Sequence, residues 1–318
     1  MGFNFFNSNK EEEYKKIIES QNKKIKKLEK TAESHQAMLN NIFVFYKLQP
    51  TPFMSTIREV GYQMLKFVDN VCKKHDIQWW VDYGTLLGAV RHQDFVPWDD
   101  DLDSGMMRAD LNVFMEVIDD EIAENNLEYI RAEYKRDKHT DLKTKRWFQF
   151  KYNRPDFYGS FCTLDIFQYD YIKDYNGEDI EETYYECMRE WFKYDQYEDM
   201  EPHLEKVFEK LNLTLEKDNY IISGVECPRG KIKMYPYKIL KAEEVFPLKR
   251  IPFGKYDFPV PNHTRDYLKY IYGKNYMSIP NKVRDHKRLN RYVKKDNIIE
   301  VLQEEIDLLR KANKNFEK

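Results

Sequence analysis

Trp79-Trp80-Val81-Asp82-Tyr83-Gly84-Thr85-Leu86-Leu87-Gly88-Ala89-Val90-Arg91-His92-Gln93-Asp94-Phe95-Val96-Pro97-Trp98-Asp99-Asp100-Asp101-Leu102-Asp103 carries the signals that decide the architecture. Residues 77–83 are aromatic and β-branched, as expected of a strand, and Gly84-Thr85 turns the chain into a short helix over 84–90. Pro97 then precedes a short acidic strand expected at about 98–104. Along such a strand side chains alternate, so Asp99, Asp101 and Asp103 share one face while Asp100 and Leu102 take the other. Three carboxylates that close repel and raise one another's pKa unless a divalent cation or several donors neutralise them. A hard cation, Mg²⁺ or Mn²⁺, held by carboxylates and phosphate oxygens fits the pattern.

Three other readings compete for the acidic run. A solvated turn is the ordinary fate of such a run, but Trp98 and Leu102 beside it imply partial burial. A calcium loop of the EF-hand kind fails downstream, where Ser104 stands in place of the required Gly and Asp110 in place of the bidentate Glu. A glycosyltransferase Asp-x-Asp device stays open from the aspartates alone. The upstream unit tips the balance: backbone N–H groups at Gly84-Thr85 can cradle phosphate. Strand, Gly-Thr turn, helix and Asp-x-Asp strand is the order found in nucleotidyltransferases.

Outward from this core, Pro50-Thr51-Pro52 opens a helix expected from Ser55 to about His75, with Ile57, Val60, Met64, Leu65, Phe67, Val68 and Val71 as its apolar face. Ala109 to Glu121 is helical in spacing, Trp147–Tyr152 and Thr163–Tyr169 are expected strands, and the chain from Asp174 onward is expected to be largely helical. Residues 10–40 lack Gly and Pro and place Ile18, Ile25, Leu28, Ala32, Leu39 and Ile42 near heptad a and d positions, with Gln21 and His35 at two others. This is one long helix, read either as a solvated extension or as the seam of a weak homodimer. Its lysines also allow weak contact with an anionic membrane surface, opposed by interleaved glutamates. Three parts result: an N-terminal helical extension over 1–50, a catalytic domain over 51–285 and a helical tail over 286–318.

Bulk composition narrows the function classes. The 318 residues, 42% hydrophobic and 15% aromatic, suffice for a substantial core. The 52 basic and 55 acidic residues nearly cancel, so no whole-molecule field draws nucleic acid. Cysteines at 72, 162, 187 and 227 form no CxxC pair or zinc spacing, and a reducing cytoplasm is the expected location. No stretch approaches the roughly 18 apolar residues of a membrane-spanning helix.

Residues 79–103 resemble the LicD family of phosphotransferases, relatives of fukutin and the fukutin-related protein. So do Thr163-Leu-Asp-Ile-Phe-Gln-Tyr-Asp170, Phe246-Pro-Leu-Lys-Arg-Ile-Pro-Phe-Gly254 and Tyr267-Leu-Lys-Tyr-Ile-Tyr-Gly273. The resemblance covers roughly 55 to 285. It implies an α/β (α+β) fold, a nucleotidyltransferase-like mixed sheet flanked by helices, and transfer of phosphocholine or a polyol phosphate from CDP-choline or another CDP-alcohol. The acceptor implied is a glycan or lipid-linked glycan of the cell envelope, reached from the cytoplasm or the inner face of the membrane. Position by position, Gly84 and Thr85 fall on the glycine turn that lines donor phosphates, and Arg91 and His92 on the Arg-His pair. Asp99, Asp101 and Asp103 fall on the metal-binding aspartates. Asp165 falls on the later-strand aspartate that shares the metal or takes the acceptor hydroxyl's proton. The sequence departs from common family wording at Asp100 and at Gln168, where proline is frequent.

Overall fold

The computed structural model describes residues 3–45, 49–136, 145–155, 162–193, 200–227, 237–279 and 297–317. In chain order the elements are α1 (Phe3–Phe45), α2 (Pro52–Lys74), β1 (Trp79–Val81), α3 (Tyr83–His92), β2 (Leu102–Met107), α4 (Arg108–Glu124), β3 (Ile130–Arg136), β4 (Lys145–Tyr152), β5 (Cys162–Ile172) and α5 (Glu181–Trp191). They continue with α6 (Glu201–Leu211), β6 (Leu213–Thr214), β7 (Tyr220–Ser223), β8 (Ile239–Lys241), α7 (Ala242–Val245), β9 (Lys249–Phe253), β10 (Tyr256–Val260), α8 (Thr264–Tyr272) and α9 (Ile298–Asn315). The fold is mixed α/β with a long N-terminal helix, as the sequence implies. The chain separates into two compact units. One holds α1 and the 276–279 stretch; the other holds residues 50–275 and α9.

In the larger unit the sheet runs β1-β2-β5-β4-β3, with β6 and β7 pairing the later half of β5 and β8 pairing β7. β2 and β5 are parallel and the other pairings antiparallel. β5 is the spine: over eleven residues it is buried almost throughout, because it is flanked by strands along both edges. Alternation sends Leu164 and Ile166 to one face and Thr163, Asp165 and Phe167 to the other. α2 covers the first face. Thr51 Oγ1 caps its first turn by accepting from the Met54 N–H at 3.3 Å, Pro52 occupies its start, and its Phe67 ring stacks at 5.7 Å on Phe150 of β4. α9 packs along α2, where Asn313 Nδ2 donates to the Gln63 carbonyl and Asn70 Nδ2 donates to Asn313 Oδ1.

From Asp174 onward helix is the predominant element among the described residues, as expected, with α5, α6, α7, α8 and α9. Between them β6, β7 and β8 join the main sheet and β9 and β10 form a hairpin. These strands are only two to five residues long, too short to show a period-2 pattern. A second cluster forms around Tyr184, Cys187, Met188, Trp191, Val207 and Leu211, which gives α5 and α6 a core of their own.

Candidate functional site

Asp103 is the residue around which the site is built. It is the second residue of β2, and the parallel register sets it directly beside Asp165 of β5. The expected acidic strand over 98–104 is not what forms: β2 begins only at Leu102, and Asp99, Asp100 and Asp101 lie in the irregular segment before it. Three alternating carboxylates on one strand face are therefore replaced by two groups. At the mouth, Asp99, Asp100 and Asp101 are half-buried, with one carboxylate oxygen from each within 4.8 Å of the others. Behind them stand Asp103 and the buried Asp165. Asp100, expected on the opposite face, belongs to the mouth, because a turn does not obey the alternation of a strand.

The glycine turn serves this cluster from the other side. The Gly84 N–H donates to Asp103 Oδ2 at 2.9 Å, and Thr85 Oγ1 accepts from the Asp103 N–H at 2.8 Å. These two bonds tie the start of α3 to the start of β2. A β-carbon on Gly84 would lie 2.6 Å from Asp99 Oδ2 and 3.1 Å from Asp103 Oδ2, so only hydrogen fits between the two carboxylates. Gly88 is needed one turn later, where a β-carbon would meet the Asp94 carbonyl at 2.5 Å and block the loop that returns the chain to Asp99.

Burial raises the pKa of Asp103 well above the ordinary carboxylate range, reinforced by Asp101, Asp99 and Asp165 and opposed by the Gly84 N–H. Asp165 is oriented by Gln149 of β4, whose Nε2 donates to Oδ1 at 2.5 Å. A cluster of hard oxygen donors, one of them costly to ionise where it stands, packed against a glycine that leaves room for no side chain, fits Mg²⁺ or Mn²⁺.

Arg91 and His92 end α3. The Arg91 guanidinium lies 5.4 Å from the Trp98 ring centroid and its Nε donates to His92 Nε2 at 2.9 Å. Burial lowers the Arg91 pKa, while Tyr272 and Asp99 act to raise it, so it stays cationic within reach of the mouth carboxylates. His92 is pushed down to about 4 by burial and by the Arg91 charge, and is neutral at physiological pH. The Arg91 and Arg58 charges act to lower His92 and Asp94 acts to raise it, and its Nε2 holds the Arg91 Nε. Lys151 and Arg154, cations close to the β5 aspartate in sequence, turn elsewhere: Lys151 pairs with Glu133 at 2.5 Å, and Arg154 lies over the Tyr129 ring.

Beneath the glycine turn is a group that sequence inspection does not single out. Asp82 is fully buried and caps α3, accepting from the Tyr83 N–H at 2.7 Å, from the Tyr169 hydroxyl at 2.7 Å and from the Tyr267 hydroxyl at 3.0 Å. An Asp directly before a helix is a readable cap signal; its tyrosine partners, 87 and 185 residues away, are not. Tyr83 itself sits at φ 35°, a left-handed value that positions Gly84 toward the aspartates. Burial pushes Asp82 up to about 6 despite these donors. A raised carboxyl pKa contributes stability that is present below about pH 4 and lost as pH rises through 6. Asp82→Asn removes that dependence. Its stability relative to the parent is expected to improve by about 3 kcal/mol between pH 4 and pH 7, read by denaturant unfolding at both pH values.

A parallel β2–β5 pair with carboxylates in register, fed by a strand, glycine turn and helix, gives the larger unit an acidic centre. Residues 76–218, a little under half of the chain, match the nucleotidyltransferase domain of the LicD/FKTN/FKRP family. An uncharacterized protein of Rickettsia typhi is 46% identical over 57 residues, 18% of this chain and 18% of its own length. The lipopolysaccharide cholinephosphotransferase LicD of Haemophilus influenzae is 38% identical over 65 residues, 20% of this chain and 24% of its own. The ribitol 5-phosphate transferase FKRP of Homo sapiens is 39% identical over 46 residues, 14% of this chain and 9% of its own. The matched stretches thus span a quarter or less of each relative. Among the described residues no helix is long and apolar enough to cross a membrane.

Proposed function

We propose that the chain transfers an alcohol phosphate, phosphocholine or a polyol phosphate, from a CDP-linked donor onto a sugar hydroxyl of a cell-envelope glycan. The observation that carries the proposal is the register pairing of Asp103 with Asp165 beneath the Asp99–Asp101 mouth, against a turn that leaves no room for a side chain. The activities of two relatives, a cholinephosphotransferase and a ribitol 5-phosphate transferase, point to the same chemistry.

Asp99, Asp101, Asp103 and Asp165 would hold Mg²⁺ or Mn²⁺, which when bound neutralises charge on the donor pyrophosphate. Arg91, a permanent cation steadied by His92 and Trp98, binds phosphate oxygens beside the mouth. Asp165, fixed by Gln149, accepts the proton of the attacking sugar hydroxyl. No covalent nucleophile is needed, because phosphoryl transfer asks chiefly for alignment and charge neutralisation. The Gly84 and Thr85 bonds to Asp103 make the turn a support for the acidic centre. Incubation with CDP-choline, CDP-glycerol, CDP-ribitol and UDP-sugars, with glycan acceptors and either cation, is expected to give CMP from a CDP-alcohol. Turnover of a UDP-sugar alone would instead establish a glycosyltransferase.

A further inference from the structure

We infer that α1 is the seam of a parallel, two-stranded homodimer whose partner is a second copy of this chain. α1 runs for 43 residues from Phe3 to Phe45, and its described side chains are almost all exposed. A single helix gains little from propensity alone and is stabilised mainly by packing its apolar stripe. Here that stripe is bare. With Ile18 at heptad position a, the exposed Ile25 and Leu39 also fall at a, Tyr14 and Leu28 at d, and Ile17 and Met38 at g. Every large hydrophobic side chain that the described part of α1 exposes is thus on the seam or its flank. The stripe runs from Tyr14 to Leu39 along a and d with g beside them, and the polar Gln21 and His35 at two d positions interrupt it.

The residue types choose the partner and the direction. β-Branched Ile at a with Leu at d favours two parallel strands, and Ile18, Ile25 and Leu28 supply that arrangement at the centre. In the same register Lys24 at g faces Glu29 at e of the other copy, an attractive pair that the two-fold axis repeats. The 276–279 stretch of the same unit is held on the flank, through Gln36 Nε2 to the Ile279 carbonyl and the Ile279 N–H to Asn40 Oδ1, and leaves Leu39 exposed.

Sedimentation equilibrium of the full chain is expected to show a dimer that Ile25→Lys/Leu28→Lys converts to monomer. The double variant should keep its CDP-donor turnover, or its thermal midpoint where turnover is not measured. Lys24→Glu should weaken the dimer about tenfold, and Lys24→Glu/Glu29→Lys should restore it. Tyr14→Cys should form an intermolecular disulfide under mild oxidation, since a parallel pair sets the two sites side by side, and the four native cysteines are buried. A monomeric parent chain would overturn the inference, as would an antiparallel pair in which Tyr14→Cys fails to cross-link. So would a monomer that floats with phosphatidylglycerol vesicles through α1. These readouts do not depend on the catalytic reading.

Discussion

Asp103→Asn is expected to lower transfer from a CDP-alcohol by about three orders of magnitude, the scale for losing one electrostatic element of transition-state stabilisation. It is also expected to raise the melting temperature of the cation-free protein. The two effects share one cause. Burial and the charges of Asp101, Asp99 and Asp165 make the Asp103 carboxylate expensive, and the Gly84 N–H recovers only part of that cost. An asparagine keeps an oxygen for Gly84 and turns an amide donor toward the acidic neighbours, so the fold loses repulsion and keeps the hydrogen bond. Cation binding then separates the variant from the parent. At a hundred times its Kd, Mn²⁺ should stabilise the parent by about 2.7 kcal/mol, and Asp103→Asn should gain almost nothing. Thermal melts with and without Mn²⁺, run beside a turnover assay, make the check. A variant that melts lower than the parent without cation, or that keeps full turnover, would count against the acidic centre.

Much of this centre was legible along the chain because its parts are local. Gly84, Thr85, Asp99, Asp101 and Asp103 fall within twenty residues, and a strand, turn and helix follow from the residue types. The β5 strand was equally legible, and Asp165 within it was conspicuous as a carboxylate in an apolar run. What was not legible is pairing. Gln149 bonds Asp165 because β4 and β5 are antiparallel in one register, and Asp82 finds Tyr169 and Tyr267 through two separate returns of the chain. Nor does period-2 alternation say where a strand begins. Begun four residues too early, it put Asp100 on the wrong face, whereas the bend before Leu102 turns it toward Asp99 and Asp101. Gln168, a departure from the family's frequent proline, has a use that only the fold reveals: its side-chain Nε2 donates to Glu226 at 2.9 Å.

Arg108→Met is expected to cost about 4 kcal/mol of stability, the range for stripping the counter-charge from a buried ion pair. Arg108 begins α4 at the end of β2, and its guanidinium is almost wholly buried. Nε and Nη2 donate to the two oxygens of Asp170 on β5 at 2.6 and 2.8 Å, and Nη1 donates to Glu226 Oε1 at 2.7 Å. Burial acts against the Arg108 charge, but the two carboxylates outweigh it and hold its pKa above the ordinary arginine range. Without the arginine, Asp170 and Glu226 become two like charges sealed from water, each with an incentive to take up a proton. In a unit of this size the loss corresponds to a fall of roughly 10 °C in melting temperature. The same bond clamps β2 to β5 five residues beyond the Asp103–Asp165 pair, so the acidic centre should loosen before the domain unfolds. Arg108→Met should therefore weaken cation-dependent stabilisation as well as lower the melting point. Adding Asp170→Asn and Glu226→Gln to Arg108→Met should recover much of the stability, because the stranded charges are gone, while the clamp stays broken. Recovery of stability without recovery of cation binding would assign this buried triad the task of holding two parallel strands in the register on which the chemistry depends.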